Sequence, residues 1–147
     1  MRGSTSNMLD YLAALARQLR GFQSEYIILI MLMELEFVEH HDGFEYLRTA
    51  IYVFGEEREQ LIAQGLYSVV AMRCGRDINE AVVERSIRTA IDAAWKSHAD
   101  SWNVFFPSGE RPSNIRFIAR MAKYLELWKG CCKAYEQQSK KEGARLE

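Results

Sequence analysis

The sequence predicts an all-α protein, a single compact domain of six to seven helices that contains a helix-turn-helix. Apolar residues recur every three or four positions along most of the chain, the spacing of amphipathic helices. No segment sustains the alternation of apolar and polar residues that is typical of strands. Both prolines, Pro107 and Pro112, fall in one predicted loop. A length of 147 residues with 48% hydrophobic content fits one domain with a sizeable core.

Four helices are predicted in the first half of the chain. They run from about Asn7 to Arg20, from about Gln23 to Phe37, onward from Gly43, and, as a short helix, from about Glu56 to Gln64. The apolar side of the first is formed by Leu9, Leu12, Ala13, Ala16 and Leu19. That of the third is formed by Phe44, Leu47, Ile51 and Phe54.

The second helix is unusual because Tyr26 to Met33 is an unbroken run of eight apolar residues. A membrane-spanning helix needs roughly 20 such residues, so the run predicts no membrane partner. It indicates a central buried helix. An alternative interpretation is that part of its surface, together with the first helix, forms an oligomer interface.

The middle of the chain has the pattern of a helix-turn-helix. A helical run from Leu61 to Arg73 is followed by a polar connector and a second helix over residues 79–98. Gly75 is expected to end the first helix in the left-handed conformation. Asp77 or Asn79 is expected to cap the second helix.

The second helix of this pair has two different faces. Its apolar side is formed by Val83, Ile87, Ala90, Ile91, Ala94 and Trp95. Arg85, Thr89 and Lys96 lie opposite, with Glu84 and Arg88 on the flanks. Such a helix can pack on a core and present arginines to a DNA major groove, although many ordinary surface helices share the pattern.

The chain is expected to end in a loop, a last helix and a frayed tail. The loop runs from about Ala99 to Arg111, and the last helix begins at Pro112 and reaches towards Gln138. Residues 139–147 are predicted to fray. Residues 1–6 look like a leader derived from an expression vector.

The composition of the chain excludes several classes of function but does not identify one. The net charge is −1, and residues 65–98 contain five basic and four acidic residues, so non-specific binding to DNA should be weak. Three cysteines, Cys74, Cys131 and Cys132, fit a reduced, cytoplasmic protein. The acidic and histidine cluster at residues 39–42 lacks the spacing of a metal site. We therefore expect no metal, no cofactor, no small-molecule substrate and no enzymatic activity.

Four ordered blocks of the sequence carry a resemblance to a known family. They are G-F-E-Y-L-R-T-A-I from Gly43, Leu66-Tyr67 with Ala71, V-E-R-S-I-R-T-A-I-D-A-A-W from Val83, and R-P-S-N-I-R-F-I-A from Arg111. Over residues 27–127 the chain resembles the C-terminal DNA-binding effector domain of the stage-zero sporulation response regulator family. The resemblance implies a helix-turn-helix domain over residues 27–138, preceded by a helical extension over residues 7–26.

The resemblance also implies a function and a site. The expected function is that of a bacterial, cytoplasmic transcriptional regulator that binds double-stranded DNA at the nucleoid. Glu84 and Arg85 would read bases, since arginine can bind guanine O6 and N7, and a carboxylate can accept from cytosine N4. Phosphate or flanking contacts would come from Arg73, Arg76, Asn79, Arg88, Thr89 and Lys96. A homodimer, or pairing with a related regulator, is expected through the last helix and possibly the first two.

Departures from the family pattern leave an alternative open. Val82 and Thr89 replace a basic residue and a histidine, while Gln64 and Met72 replace lysines. The family's phosphoacceptor receiver domain would not fit in the residues before 27. The alternative is a receiver-less interaction module with weakened DNA binding that dimerises with or modulates a full-length regulator. Trp95, Trp102, Phe105 and Phe106 are expected to pack the recognition helix against its following loop, instead of forming a base-stacking platform.

Overall fold

The computed structural model describes residues 7–39, 41–62, 64–75 and 77–146. Within these ranges the chain forms seven α-helices and one 3-10 turn, with no strands, which confirms the all-α class. The helices are α1 (Met8–Leu19), α2 (Ser24–Glu34), α3 (Asp42–Glu56), α4 (Leu66–Cys74), α5 (Glu80–Trp95), α6 (Ser101–Phe105) and α7 (Asn114–Leu146). The 3-10 turn is Arg58–Leu61.

The core is built around α3 and α7. Helix α7 packs along α1 and α3, and α3 in turn supports α4 and α5. Phe44, Phe105 and Phe117 are the largest fully buried side chains. Because α3 contacts both helices of the α4–α5 pair, it fixes their position on the domain.

Two of the predicted helices in the first half differ in detail. Helix α1 buries Met8, Leu12, Leu15 and Ala16 and leaves Leu9 59% exposed, so its apolar side is rotated from the predicted one. The cause is tertiary packing, because α1 lies along α7, where Arg17 donates to the Tyr135 hydroxyl at 2.8 Å. The predicted fourth helix shrinks to the 3-10 turn, and α4 begins only at Leu66.

The connector between α4 and α5 is tighter than the sequence predicts. Gly75 is extended, with φ of 170°, so the expected left-handed ending was wrong. The glycine instead lies against the next turn, because an added Cβ would approach Ile78 Cδ1 to 2.8 Å. Asn79 caps α5 as predicted, and its Oδ1 accepts from the Val82 amide at 3.0 Å.

The C-terminal part contains more helix than the sequence predicts. The expected loop includes α6, because Trp102 and Phe105 point into the core from one short turn. Helix α7 begins at Asn114, and Pro112 precedes it while the Ser113 hydroxyl accepts from Arg116 N at 3.3 Å. The helix also continues to Leu146, through the segment predicted to fray. Residues 1–6, predicted as a leader, and residue 147 lie outside the described residues.

Helix α2 is only partly the buried helix that its sequence suggests. Ile27, Ile28, Met31 and Leu32 are fully buried, whereas Tyr26 and Met33 are 44% and 54% exposed. Among the described helices, none is both long and apolar enough to cross a membrane.

Helix α2 ends in a Schellman motif that places Glu36 in the left-handed region, with φ of 64°. The Phe37 amide donates to Leu32 O at 3.1 Å, and the Glu36 amide donates to Met33 O at 3.0 Å. Glycine is usual at this position, because the left-handed conformation brings a Cβ too close to the backbone.

We therefore expect Glu36→Gly to raise the free energy of unfolding by about 1 kcal/mol. Urea denaturation followed by circular dichroism measures this change. Glu36→Ala removes the same charge but keeps the Cβ, and it should give no comparable gain. Equal stabilisation by both variants would show that charge, and not backbone conformation, is responsible.

Candidate nucleic-acid interface

Helix α5 presents one buried face and one solvent face, as the sequence predicts. Val83, Ile87, Ala90, Ile91 and Ala94 are buried, and Trp95 is half-buried. Arg85, Thr89 and Lys96 are exposed on the opposite side, with Glu84 and Arg88 also exposed. The predicted face for DNA is therefore open to solvent along the helix.

Arg111, in the loop before α7, and Asn114, the first residue of α7, hold α5 through its backbone. Asn114 Nδ2 donates to Glu84 O at 3.0 Å, and Arg111 Nη2 donates to Arg88 O at 3.0 Å. Arg111 Nε also lies 3.4 Å from an Asp92 carboxylate oxygen. Sequence reasoning assigned no role to Arg111 or Asn114. The only signal was their place in the R-P-S-N block, since nothing local connects that block to α5.

A second support of α5 is its close contact with α3. A Cβ at Gly43 would lie 2.2 Å from Ser86 O and 2.9 Å from Ala90 Cβ. Only a residue without a side chain allows this approach. The glycine that opens the G-F-E-Y-L-R block therefore sets the distance between the two helices.

The C-terminal end of α5 rests on an aromatic cluster. Trp102 Nε1 donates to Ala94 O at 3.1 Å, and the rings of Trp95 and Trp102 meet edge to face with centroids 5.1 Å apart. Trp102, Phe105 and Phe106 are at most 4% exposed. This burial confirms the packing interpretation and leaves these three rings closed to stacking bases.

The two predicted base-reading residues differ in their surroundings. Arg85 is exposed and forms no ion pair or hydrogen bond with any residue that the structure describes. Glu84 is paired with Arg88, one turn further along α5, with Oε1 and Nη1 3.4 Å apart. Both members of that pair remain about half exposed.

Several predicted phosphate contacts are engaged within the domain. Arg73 pairs with Glu57 and donates to Gln60 Oε1 at 3.0 Å. Lys96 Nζ lies 3.0 Å from Asp92, and this hydrogen bond is the main reason that the pKa of Asp92 lies below its usual value.

The remaining predicted DNA contacts are Asn79, Thr89 and Arg76, and they differ in their surroundings. Asn79 uses its side-chain oxygen as the helix cap. Thr89 is exposed on the outward face of α5. Arg76 lies outside the described residues. Tyr67, at the start of α4, faces the same region, and burial raises the pKa of its hydroxyl.

An open groove of about 530 Å³ lies between α4 and the start of α5. It is lined by Ser68, Ala71, Met72, Gly75, Ile78, Asn79 and Glu80. Met72 is 66% exposed, and the one charge among these residues is the carboxylate of Glu80. The described lining residues therefore offer an approaching phosphate no positive charge.

The acidic and histidine cluster that opens α3 does not assemble a metal site in the described part of the chain. No group of three candidate ligands comes together there. His40, one of the four residues in that cluster, lies outside the described ranges.

Comparison with known families gives a match over most of the chain. The model of the family described as "Sporulation initiation factor Spo0A C terminal" matches residues 28–125, which include α3, α4, α5 and the loop that leads into α7. No solved structure matches the chain. The matched segment contains the helix pair, the glycine contact and the anchoring block described above. The chain belongs to the Spo0A C-terminal family of DNA-binding sporulation regulator domains.

Proposed function

We propose that this domain recognises a specific sequence in duplex DNA by placing α5 in the major groove, with Arg85 as the main base-reading residue. The observation that carries the proposal is the position of the Arg85 guanidinium. It projects from the outward face of a firmly anchored helix and has no partner among the described residues. A rigid helix with a free arginine suits the two-pronged recognition of guanine O6 and N7.

Glu84 takes a secondary role in this proposal. Successive residues are about 100° apart around a helix, so Glu84 lies on the flank while Arg85 faces outward. Its ion pair with Arg88 is exposed, and such a pair contributes less than about 0.5 kcal/mol. Opening the pair on DNA would cost little. It would release Glu84 towards a cytosine amino group and Arg88 towards a phosphate.

We also propose that contacts to DNA phosphates contribute little to the affinity. Arg73 pairs with Glu57, and the described residues that line the groove beside α5 carry no positive charge. Lys96 pairs with Asp92 in an exposed ion pair that DNA could open. The backbone amides at the α5 N-terminus, beside Asn79, remain suited to one phosphate. Affinity should therefore be modest, and occupancy of a bacterial chromosome would require two domains on adjacent sites.

Arg85→Ala tests the base-reading role. A preferred sequence is first selected from random duplexes with the unchanged protein. Binding to the selected duplex and to a random duplex is then measured by fluorescence anisotropy at low salt. We expect Arg85→Ala to lose about 1–3 kcal/mol on the selected duplex and far less on the random one, because one base contact disappears.

Lys133→Ala is the matched control for this experiment. It removes one positive charge from an exposed position on α7, far along the chain from α5. It should leave both affinities nearly unchanged. If Arg85→Ala and Lys133→Ala bound the selected duplex equally well, Arg85 would not read bases.

A second candidate function follows from the paired cations. With Arg73 and Lys96 neutralised internally, the domain could have kept the fold as an interaction module that pairs with a full-length regulator. Co-purification with such a regulator, together with no measurable affinity for any selected duplex, would favour this function over DNA reading.

A further inference from the structure

A pocket of about 250 Å³, which we call the α1–α6 pocket, lies between α1, the end of α2 and α6. None of the described residues that line it belongs to α4 or α5, so it is separate from the face of α5 proposed for DNA. Helix α1 forms one side of the pocket, because its lining residues lie three or four positions apart on a single helix face. They are Asn7, Asp10, Tyr11 and Ala14.

The wall of the pocket is aromatic and apolar. The rings of Tyr11 and Phe105 meet edge to face, with centroids 5.3 Å apart. Phe105 is only 1% exposed, so the core fixes its position. Ala14 and Val104 are half-buried and complete the wall. A preformed apolar wall of this kind favours the hydrocarbon part of a small ligand.

The charged groups of the pocket are all acidic. Asp10 lies in the first turn of α1 and Glu34 is the last residue of α2, and both are exposed at the rim. Glu34 accepts a 3.2 Å hydrogen bond from the Ser101 hydroxyl, whereas the Asp10 carboxylate has no bond to any residue that the structure describes. The described residues that line the pocket include no basic side chain. The pocket therefore carries two negative charges that its own lining does not offset.

The hydroxyl of Tyr11 is a further polar group without a partner. Its oxygen is buried and forms no hydrogen bond within the described part of the chain. Burial and, to a smaller extent, the charge of Glu34 raise the pKa of Tyr11, so the hydroxyl stays protonated near neutral pH. Buried polar groups in folded proteins normally have a partner, and an N–H group that enters beside Glu34 would supply one.

We propose that the α1–α6 pocket binds a small organic amine. Its ammonium group lies at the rim beside the carboxylates of Asp10 and Glu34. Its hydrocarbon body lies against the rings of Tyr11 and Phe105. An ammonium suits both parts of the pocket, because it bonds to carboxylates and is attracted to aromatic rings.

Two observations set this site apart from other interpretations. A divalent metal ion requires several oxygen ligands around it, and no group of three acidic, histidine or cysteine ligands comes together among the described residues. Helix α1 precedes residues 28–125, the segment that the family model matches. The pocket therefore depends on a helix outside the matched segment, and it goes beyond the function proposed for α5.

An NMR titration of the full chain without DNA tests the proposal independently of DNA reading. The probe is 2-phenylethylamine, which is positively charged at neutral pH, and backbone amide shifts are followed. We expect saturable shifts in α1, at Glu34 and in α6, with a Kd of about 1 mM, as suits a ligand of few atoms. The uncharged 2-phenylethanol has the same ring and should bind at least about fivefold more weakly, because it lacks the ammonium group.

Asp10→Asn and Glu34→Gln each remove one charge with little change of shape. Each should weaken binding of the amine about threefold to tenfold. Glu59→Gln is the matched control, because it removes an exposed carboxylate from the 3-10 turn, outside the pocket, and should leave the Kd unchanged.

Four results would overturn the proposal. They are the lack of saturable shifts in α1 and α6, equal binding of the amine and the alcohol, charge variants that bind the amine as well as Glu59→Gln does, and Mg²⁺ that shifts the same amides at the same concentration. The last result would assign the pocket to a metal ion.

Discussion

Gly43→Ala is expected to reduce the free energy of unfolding by about 3 kcal/mol, the upper end of the usual cost of overpacking. The added methyl would lie 2.2 Å from Ser86 O and 2.9 Å from Ala90 Cβ. A backbone carbonyl cannot rotate aside as a flexible side chain can. The two helices must separate, and α5, which carries Arg85, is then displaced from α3.

Gly130→Ala provides the control for this variant. Gly130 lies within α7, and a Cβ there would meet no atom within 4 Å. Alanine at such a site should stabilise the protein by about 0.5–1 kcal/mol, because glycine is the poorer helix former. Urea unfolding of both variants measures the contrast. A Gly43→Ala protein as stable as the unchanged one would mean that α3 and α5 are not in close contact.

The two faces of α5 were predictable because they depend on local periodicity alone. An α-helix returns to the same side every 3.6 residues, so the buried positions from Val83 to Ala94 follow from the spacing of apolar residues in the sequence. The Asn79 cap is equally local, since its acceptor and donor are three residues apart. Such features are encoded within a single turn of the chain.

Some partners of the cations could not be predicted, because they come from distant parts of the sequence, unlike the pairs Glu84–Arg88 and Asp92–Lys96, which lie one turn apart on α5. Arg73 is paired with Glu57 across the 3-10 turn, and Asp92 is approached by Arg111 from the loop before α7. Side-chain pairs of this kind depend on how helices pack, not on their periodicity. The sequence therefore predicts the exposed face of α5, but it does not show that Arg73 and Lys96 are paired with carboxylates of the domain.

Helix α2 shows a further limit. Its run from Tyr26 to Met33 is apolar on every side, which is typical of a fully buried helix. The described part of the chain fully buries Ile27, Ile28, Met31 and Leu32 and leaves Tyr26 and Met33 exposed. Periodicity could not reveal which side would remain uncovered, because every side is apolar.

Trp102→Ala is expected to cost about 3–5 kcal/mol, the largest effect of any substitution considered for this domain. Trp102 is 3% exposed and lies against Trp95 and Phe117, with centroids 5.1 Å and 5.8 Å away. Its removal leaves a cavity between α5 and α7. Since a domain of this size has about 5–15 kcal/mol of stability in total, a large part of it would be lost. Urea unfolding monitored by circular dichroism at low temperature measures the loss.

Trp102→Phe and Trp128→Phe separate the hydrogen bond from the packing. Both tryptophans are nearly buried, but Trp102 Nε1 donates to Ala94 O at 3.1 Å, whereas Trp128 Nε1 has no partner among the described residues. Phenylalanine removes a satisfied donor at one position and an unsatisfied one at the other. Trp102→Phe should therefore be less stable than Trp128→Phe by about 1–2 kcal/mol. Equal losses would mean that packing alone, and not the bond to α5, makes Trp102 the support of the recognition helix.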